Sequence, residues 1–181
     1  GMMKPTLIFL LFLKILFSNQ PSSTIPASTY SIVAYDPSTD QLGVAVQSHW
    51  FSVGFLVPWA KAGVGAVATQ SFVKVEYGPD GLRLMEEGLT SGQALEALLK
   101  EDKAKDVRQV AMVDINGNVA AHTGSKCIYA AGHYLGSNYS VQANMMEKEV
   151  VWSSMSYAYE NTKGDLADRM MAALEAAEKE G

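Results

Sequence analysis

The sequence holds a single cysteine, Cys127, so no internal disulfide can form and stability must come from a packed core. It has no Lys/Arg-rich run, and 14 basic residues stand against 19 acidic ones. The positive footprint of a nucleic-acid binder is therefore missing, and nucleic acid is set aside as a partner. There is no Gly-x-Ser-x-Gly elbow, no phosphate-cradling P-loop and no His-Glu-x-x-His pair, which removes the hydrolase, nucleotide and zinc-protease readings those motifs carry. The three histidines, His49, His122 and His133, lie far apart without metal-ligand spacing, so neither a metal nor any other cofactor is expected. Cys127 by itself reads as a small buried or half-buried side chain rather than a nucleophile.

What remains is globular. Hydrophobic residues make up 48% and charged residues 18% of 181, which suits one domain with its own core and no disordered or coiled-coil character. Gly1 before Met2 reads as an expression scar. A charged Lys4, an apolar stretch from Leu7 to Phe17 broken only by Lys14, and a polar Ser/Pro/Thr-rich tail to Ser28 then have the layout of a secretory signal. The apolar stretch is shorter than the roughly 20 residues a membrane span needs, and no cysteine follows it to carry a lipid anchor. Residues 1–28 are thus expected to be removed, leaving residues 29–181 as one exported domain, periplasmic or secreted and not held at a membrane. Losing Lys4 and Lys14, with no acid, takes the net charge from −5 to −7.

Tyr30 to Tyr35 and Leu42 to Gln47 are strand-like runs, apolar on both faces and joined by a Pro/Ser/Thr/Asp turn, which predicts a buried hairpin. Gly63 to Gln70 predicts a third strand whose small residues allow close approach by a second layer or a ligand. Gln109 to Asp114 and Asn118 to His122 flank Asn116-Gly117, the dipeptide favoured in a type I′ hairpin, and Ser140 to Asn144 is a sixth strand. Helices are expected over Pro79 to Glu87, after Thr90 with Gln93 as a capping box, over Val150 to Tyr159, and after Asp165 with Leu166, Met170 and Leu174 on one face. Strands with two apolar faces need cover on both sides, which points to an α+β fold: a four-layer αββα sandwich with mainly antiparallel sheets.

Thr29 opens the first strand directly after the export tail. A free N-terminal threonine carries its own base, since its α-amine, with a pKa near about 8, can take the hydroxyl proton without a histidine. Cleavage after Ser28 would free it, whereas cleavage after Ala27 would leave Ser28 first. The plainer reading is a β-branched residue suited to starting a strand. Ser48 and His49 are adjacent, so on a strand they point to opposite faces and do not easily pair with each other.

The segments Thr29 to Asp36 (TYSIVAYD), Gln47 to Gly54 (QSHWFSVG), Val57 to Gln70 (VPWAKAGVGAVATQ), Tyr77 to Leu82 (YGPDGL), Asp114 to Gly124 (DINGNVAAHTG) and Val141 to Met145 (VQANM) together resemble the family called domain of unknown function 1028. The resemblance covers essentially all of residues 29–181. That family is classed with the N-terminal nucleophile (Ntn) hydrolases, which implies the αββα sandwich and places the nucleophile on Thr29. It also implies a pocket with His49, Thr69, Gln70, His122 and Asn144 around it, Asn144 being able to donate to an oxyanion. Lys74 stands where the family usually has Asn, and Ala143 where it usually has Gly. Members usually continue into a Gly-Asp-x-Arg-Gly-x-Gln-Ser stretch and a final strand, a segment expected to be missing from a chain that stops at Gly181. Two functions follow: hydrolysis of an amide or related acyl bond of a small molecule or peptide, or non-catalytic binding of such a ligand on the same fold. A homo-oligomer is compatible with either.

Overall fold

The computed structural model describes residues 27–181, so the secretory-signal expectation lies outside the described residues except at Ala27 and Ser28. Four strands come first: β1 (Thr29–Asp36), β2 (Gln41–Ser48), β3 (Pro58–Lys61) and β4 (Gly65–Ser71). Two helices follow, α1 (Tyr77–Glu86) and α2 (Ser91–Glu101). Four more strands, β5 (Arg108–Asp114), β6 (Val119–Thr123), β7 (Gly132–Gly136) and β8 (Tyr139–Asn144), precede helices α3 (Val151–Asn161) and α4 (Leu166–Glu180). The strands form two four-stranded sheets, ordered β2-β1-β8-β7 and β3-β4-β5-β6, with every neighbouring pair antiparallel. Over the described residues the fold is mixed α+β, with two antiparallel sheets and four α-helices.

Period-two alternation distributes the central strands among three apolar cores. Tyr30 and Ile32 of β1, with Val141 of β8, pack against Met155, Tyr159, Met170 and Leu174 of α3 and α4. Val33, on the other face of β1, meets Ala66, Ala68, Ala111 and Val113 between the sheets. Val67, Val110 and Met112 turn outward onto Tyr77, Leu82 and Leu95 of α1 and α2. The central apolar part of the facing sheet surfaces is thus made of alanine and valine, while most of the bulky buried core side chains go to the helices.

The expected caps at Thr90 and Asp165 both start helices, and both are capping boxes. Thr90 Oγ1 accepts the Gln93 N–H at 3.3 Å while Gln93 Oε1 accepts the Thr90 N–H at 3.0 Å, and Asp165 and Asp168 do the same at the start of α4. Helix α1 begins at Tyr77, two residues before the expected Pro79, and ends at Gly88 in the left-handed region with φ 100°.

The expectation of three strands in each half is corrected to four. The additions, β3 and β7, are edge strands half-buried at most, with Pro58 and Lys61 in one and a glycine at each end of the other. An edge strand lacks the two-sided apolar pattern by which the central strands declare themselves. The expected type I′ turn is corrected as well: only Gly117 takes positive φ, at 78°. The Gly117 N–H bonds Asp114 O at 3.0 Å and the Asp114 N–H bonds Asn118 O at 3.1 Å, a three-residue loop closed by a left-handed glycine. Asp114 selects it, because its carboxylate collects the N–H groups of Asn116 at 2.9 Å and Asn118 at 3.1 Å.

At Gly78 helix α1 sits directly on an indole: a Cβ there would lie 2.3 Å from Trp59 Cδ1, and the ring is held by its N–H bond to Leu56 O at 3.0 Å. Gly78→Ala is expected to destabilise the protein in urea titration. The overpacking cost of about 1–3 kcal/mol exceeds the gain in helix propensity, at most about 1 kcal/mol and less so near a helix start. Unchanged or raised stability would show that the helix can lift off Trp59 freely.

Candidate functional site

The register of β1 sets the site. Thr29 stands opposite Ser48 on one side and Asn144 on the other. Its Oγ1 lies 2.7 Å from Ser48 Oγ, which also accepts the Trp50 N–H at 3.1 Å. One residue further out, the His49 N–H bonds Ser28 O at 3.0 Å and His49 Nδ1 lies 2.8 Å from Ser28 Oγ. Ser48 and His49 leave β2 in different directions and so pair with successive residues of the neighbouring chain rather than with each other. Ser28, the last residue of the tail expected to be removed, is buried and extends the ladder.

Behind Thr29 lies a chain of buried amides between the sheets. Gln109 Nε2 is within hydrogen-bond distance of Ala143 O at 2.9 Å, Gly132 O at 3.1 Å and Thr123 Oγ1 at 2.9 Å. With its nitrogen facing carbonyls, its Oε1 must accept, and it takes N–H bonds from Gln70 Nε2 at 2.7 Å and Asn144 Nδ2 at 3.0 Å. Gln70 Oε1 then accepts from Ser31 Oγ at 2.7 Å, Ser31 accepts from Gln142 Nε2 at 2.6 Å, and Gln142 Oε1 accepts from Ser140 Oγ at 2.9 Å. All these residues except Thr123 and Gly132 are buried, and almost every polar atom is matched, as burial demands. Asn144 Oδ1 is the exception: it is buried and has no partner.

A cavity of about 390 Å³ opens from this network, with Thr29 and Gln70 on its lining beside Val57, Val73 and Met145. Trp50, Phe51, Phe72 and Ile128 line it too, each largely solvent-exposed. A depression of the same volume between β2 and α4 contains neither Thr29 nor any member of the amide network.

Of the residues expected around a pocket, Thr29 and Gln70 line the cavity and Asn144 adjoins it through its pairing with Thr29. His49 is exposed and bound to Ser28. Two expectations are corrected. Thr69 points the other way, as alternation with Gln70 requires, and its Oγ1 donates to Lys74 O at 3.2 Å. His122 shares the helix-facing side of its sheet with its register partner Val110, and its Nε2 donates to Lys105 O at 2.8 Å. Asn144 differs in chemistry from the expected oxyanion donor, since the atom it leaves free is an acceptor. Ser48, weighed with His49 as a residue that could line a pocket, bonds Thr29; missed altogether were Ser31, Gln109 and Gln142. The signal was there: glutamines at inward positions of otherwise apolar strands have no reason to be buried unless they bond one another.

Among the described residues no group of three or more His, Cys, Asp or Glu side chains could hold a metal ion, and no helix is long and apolar enough to cross a membrane. Cys127, half-buried, donates to Arg108 O at 3.3 Å.

His133 closes the far end of the network. Thr123 Oγ1, already facing the Gln109 amide, lies 2.8 Å from His133 Nδ1, so the hydroxyl donates and the ring accepts as neutral imidazole. Burial, and secondarily the nearby His122, hold the His133 pKa below its ordinary value. A depressed folded pKa means the unfolded chain takes up the proton first. Its contribution is therefore complete above the unfolded value near about 6.5 and is lost as pH falls through that value and on to the folded one. Urea unfolding at pH 7.5 and 5.5 should show stability falling with pH, and the fall should be smaller in His133→Gln; an equal fall in both would clear His133 of the effect.

Residues 29–181 match the family of unknown function DUF1028, and the chain belongs to that family. It is also similar to the crystal structure of protein SPO2555 from Silicibacter pomeroyi, assigned to the same family, with a TM-score of 0.82 and 29% identity over 85% of this chain and 71% of that one. No curated protein matches the chain.

Proposed function

We propose that the protein is an exported hydrolase of amide or related acyl bonds, built on the four-layer αββα sandwich of the Ntn hydrolases, with Thr29 as nucleophile. The observation that carries this reading is the place of Thr29. The residue begins β1, its hydroxyl is bonded to Ser48, and it borders a cavity at the polar end of the inter-sheet space. The helix-sheet-sheet-helix packing of an otherwise mixed α+β fold supports it. Once the Ser28–Thr29 bond is cut, the Thr29 α-amine takes the hydroxyl proton as Oγ1 bonds to the substrate's carbonyl carbon. The amine passes that proton to the leaving nitrogen as the C–N bond breaks, and water then cleaves the acyl ester to restore the hydroxyl.

A second reading, a binding module that never exposes Thr29, is favoured by Ser28. Its buried backbone and its two bonds to His49 hold the residue before Thr29 as a structural member of the ladder. Intact-mass measurement and N-terminal sequencing of protein recovered from its natural compartment separate the two. Thr29 as first residue is the expected result; a mature chain that retains Ser28 returns the groove to ligand binding alone.

A further inference from the structure

The cavity at Thr29 is unlike the rest of the surface in charge. None of the described residues lining it is Asp, Glu, Lys, Arg or His, although 33 of the protein's 181 residues carry formal charge by the counts of 14 and 19. Its mouth is aromatic and aliphatic: Phe51 is 97% exposed, Trp50 60%, Phe72 54% and Ile128 45%. Four large apolar side chains left in water around one concavity mark a surface that gains by being covered. The cavity volume, about 390 Å³, is at the small-molecule end of ligand sites and leaves no room for a protein helix. Polar groups enter only at one end, through Thr29, Gln70 and Ser71, and both polar atoms of the Gln70 amide are already bonded inside the network.

From this pattern we infer that the groove binds a small neutral amide whose side group is aromatic or branched-aliphatic, seated between Trp50, Phe51, Phe72 and Ile128 with its amide towards Thr29. The inference rests on the proposed role of Thr29 and narrows it to a substrate class. A carboxylate of the same shape would lose its hydration on entry and find no cation among these side chains; in the uncut chain, where residue 29 has a peptide nitrogen and no α-ammonium, charge therefore discriminates where shape does not. Flat rings on the rim add contacts that an aromatic ligand satisfies better than a linear chain.

Trp50 supplies the readout. In the full chain carrying Thr29→Ala, which removes turnover and keeps the walls, 3-phenylpropionamide is expected to change tryptophan fluorescence saturably. 3-Phenylpropionate should bind at least about tenfold more weakly, and Trp50→Phe should lose the signal, which separates it from Trp59 and Trp152. Ile128→Asp and Phe72→Asp, both at exposed positions that the fold does not need, should each weaken amide binding about tenfold or more. Equal affinity for amide and carboxylate overturns the inference, as does an unresponsive Trp50 up to the amide's solubility limit. An oligomer that dissociates on Ile128→Asp with no response to the amide also overturns it, and makes the rim an interface between copies. Saturable amide binding in a protein that hydrolyses no amide when Thr29 is intact leaves the ligand class standing and sinks the hydrolase reading instead.

Discussion

Thr29→Ala is expected to lower turnover of any amide that the mature protein hydrolyses by about three orders of magnitude or more, the scale on which loss of a covalent nucleophile is felt. Folding stability should fall by only about 1 kcal/mol, because the Thr29 hydroxyl bonds only to Ser48. Thr29→Ser keeps the hydroxyl and the α-amine and should retain measurable activity, losing only the methyl that fixes the hydroxyl's rotamer. The kinetics are to be read beside urea unfolding, so that a lost nucleophile is not confused with a lost fold. A mature protein beginning upstream of Thr29 that still turns over substrate would refute the assignment, since a peptide nitrogen at Thr29 cannot serve as base.

Gln109→Leu should give the largest stability effect, about 3–5 kcal/mol in urea unfolding. The substitution is close in volume but strips the network at its branch point. Gln70 Nε2 and Asn144 Nδ2 lose their shared acceptor, and Ala143 O and Gly132 O lose a donor. These groups lie between two sheets where water has little access, so the desolvation cost is not recovered. Asn144→Leu should cost much less, about 1 kcal/mol, because Gln109 Oε1 keeps its bond from Gln70 and the substitution removes an acceptor that had no partner. If the two variants were equally destabilised, the branch at Gln109 would not be what holds this end of the sheets together.

The same two sites show how far the sequence could be read. Thr29 could be singled out because its chemistry depends on chain position, and position is what a sequence states. Gln70 and Asn144 entered only through the family resemblance, and Gln109 did not enter at all. A glutamine at an inward position of an apolar strand must find a partner, but nothing local says that the partner is another glutamine 39 residues away. Thr69 and His122 were expected at the pocket on the same ground, as members of the resembling motifs at or near strand ends, but a one-residue step along a strand reverses the face, and both lie on the helix side. The left-handed Gly117 was foreseen with the wrong turn around it, since Asp114 closes the loop through its side chain.

By itself, then, the sequence determined the central strands, the four helices, two of them with their N-caps, and the family, all of which rest on local periodicity, capping chemistry or ordered motifs. Only the tertiary structure decided which polar side chains meet between the sheets, that Ser28 belongs to the ladder, and that the cavity at Thr29 is uncharged with an exposed aromatic mouth. Those features depend on cross-strand register and on the stacking of two sheets, which bring together residues far apart along the chain, and no local pattern encodes which of them will face one another.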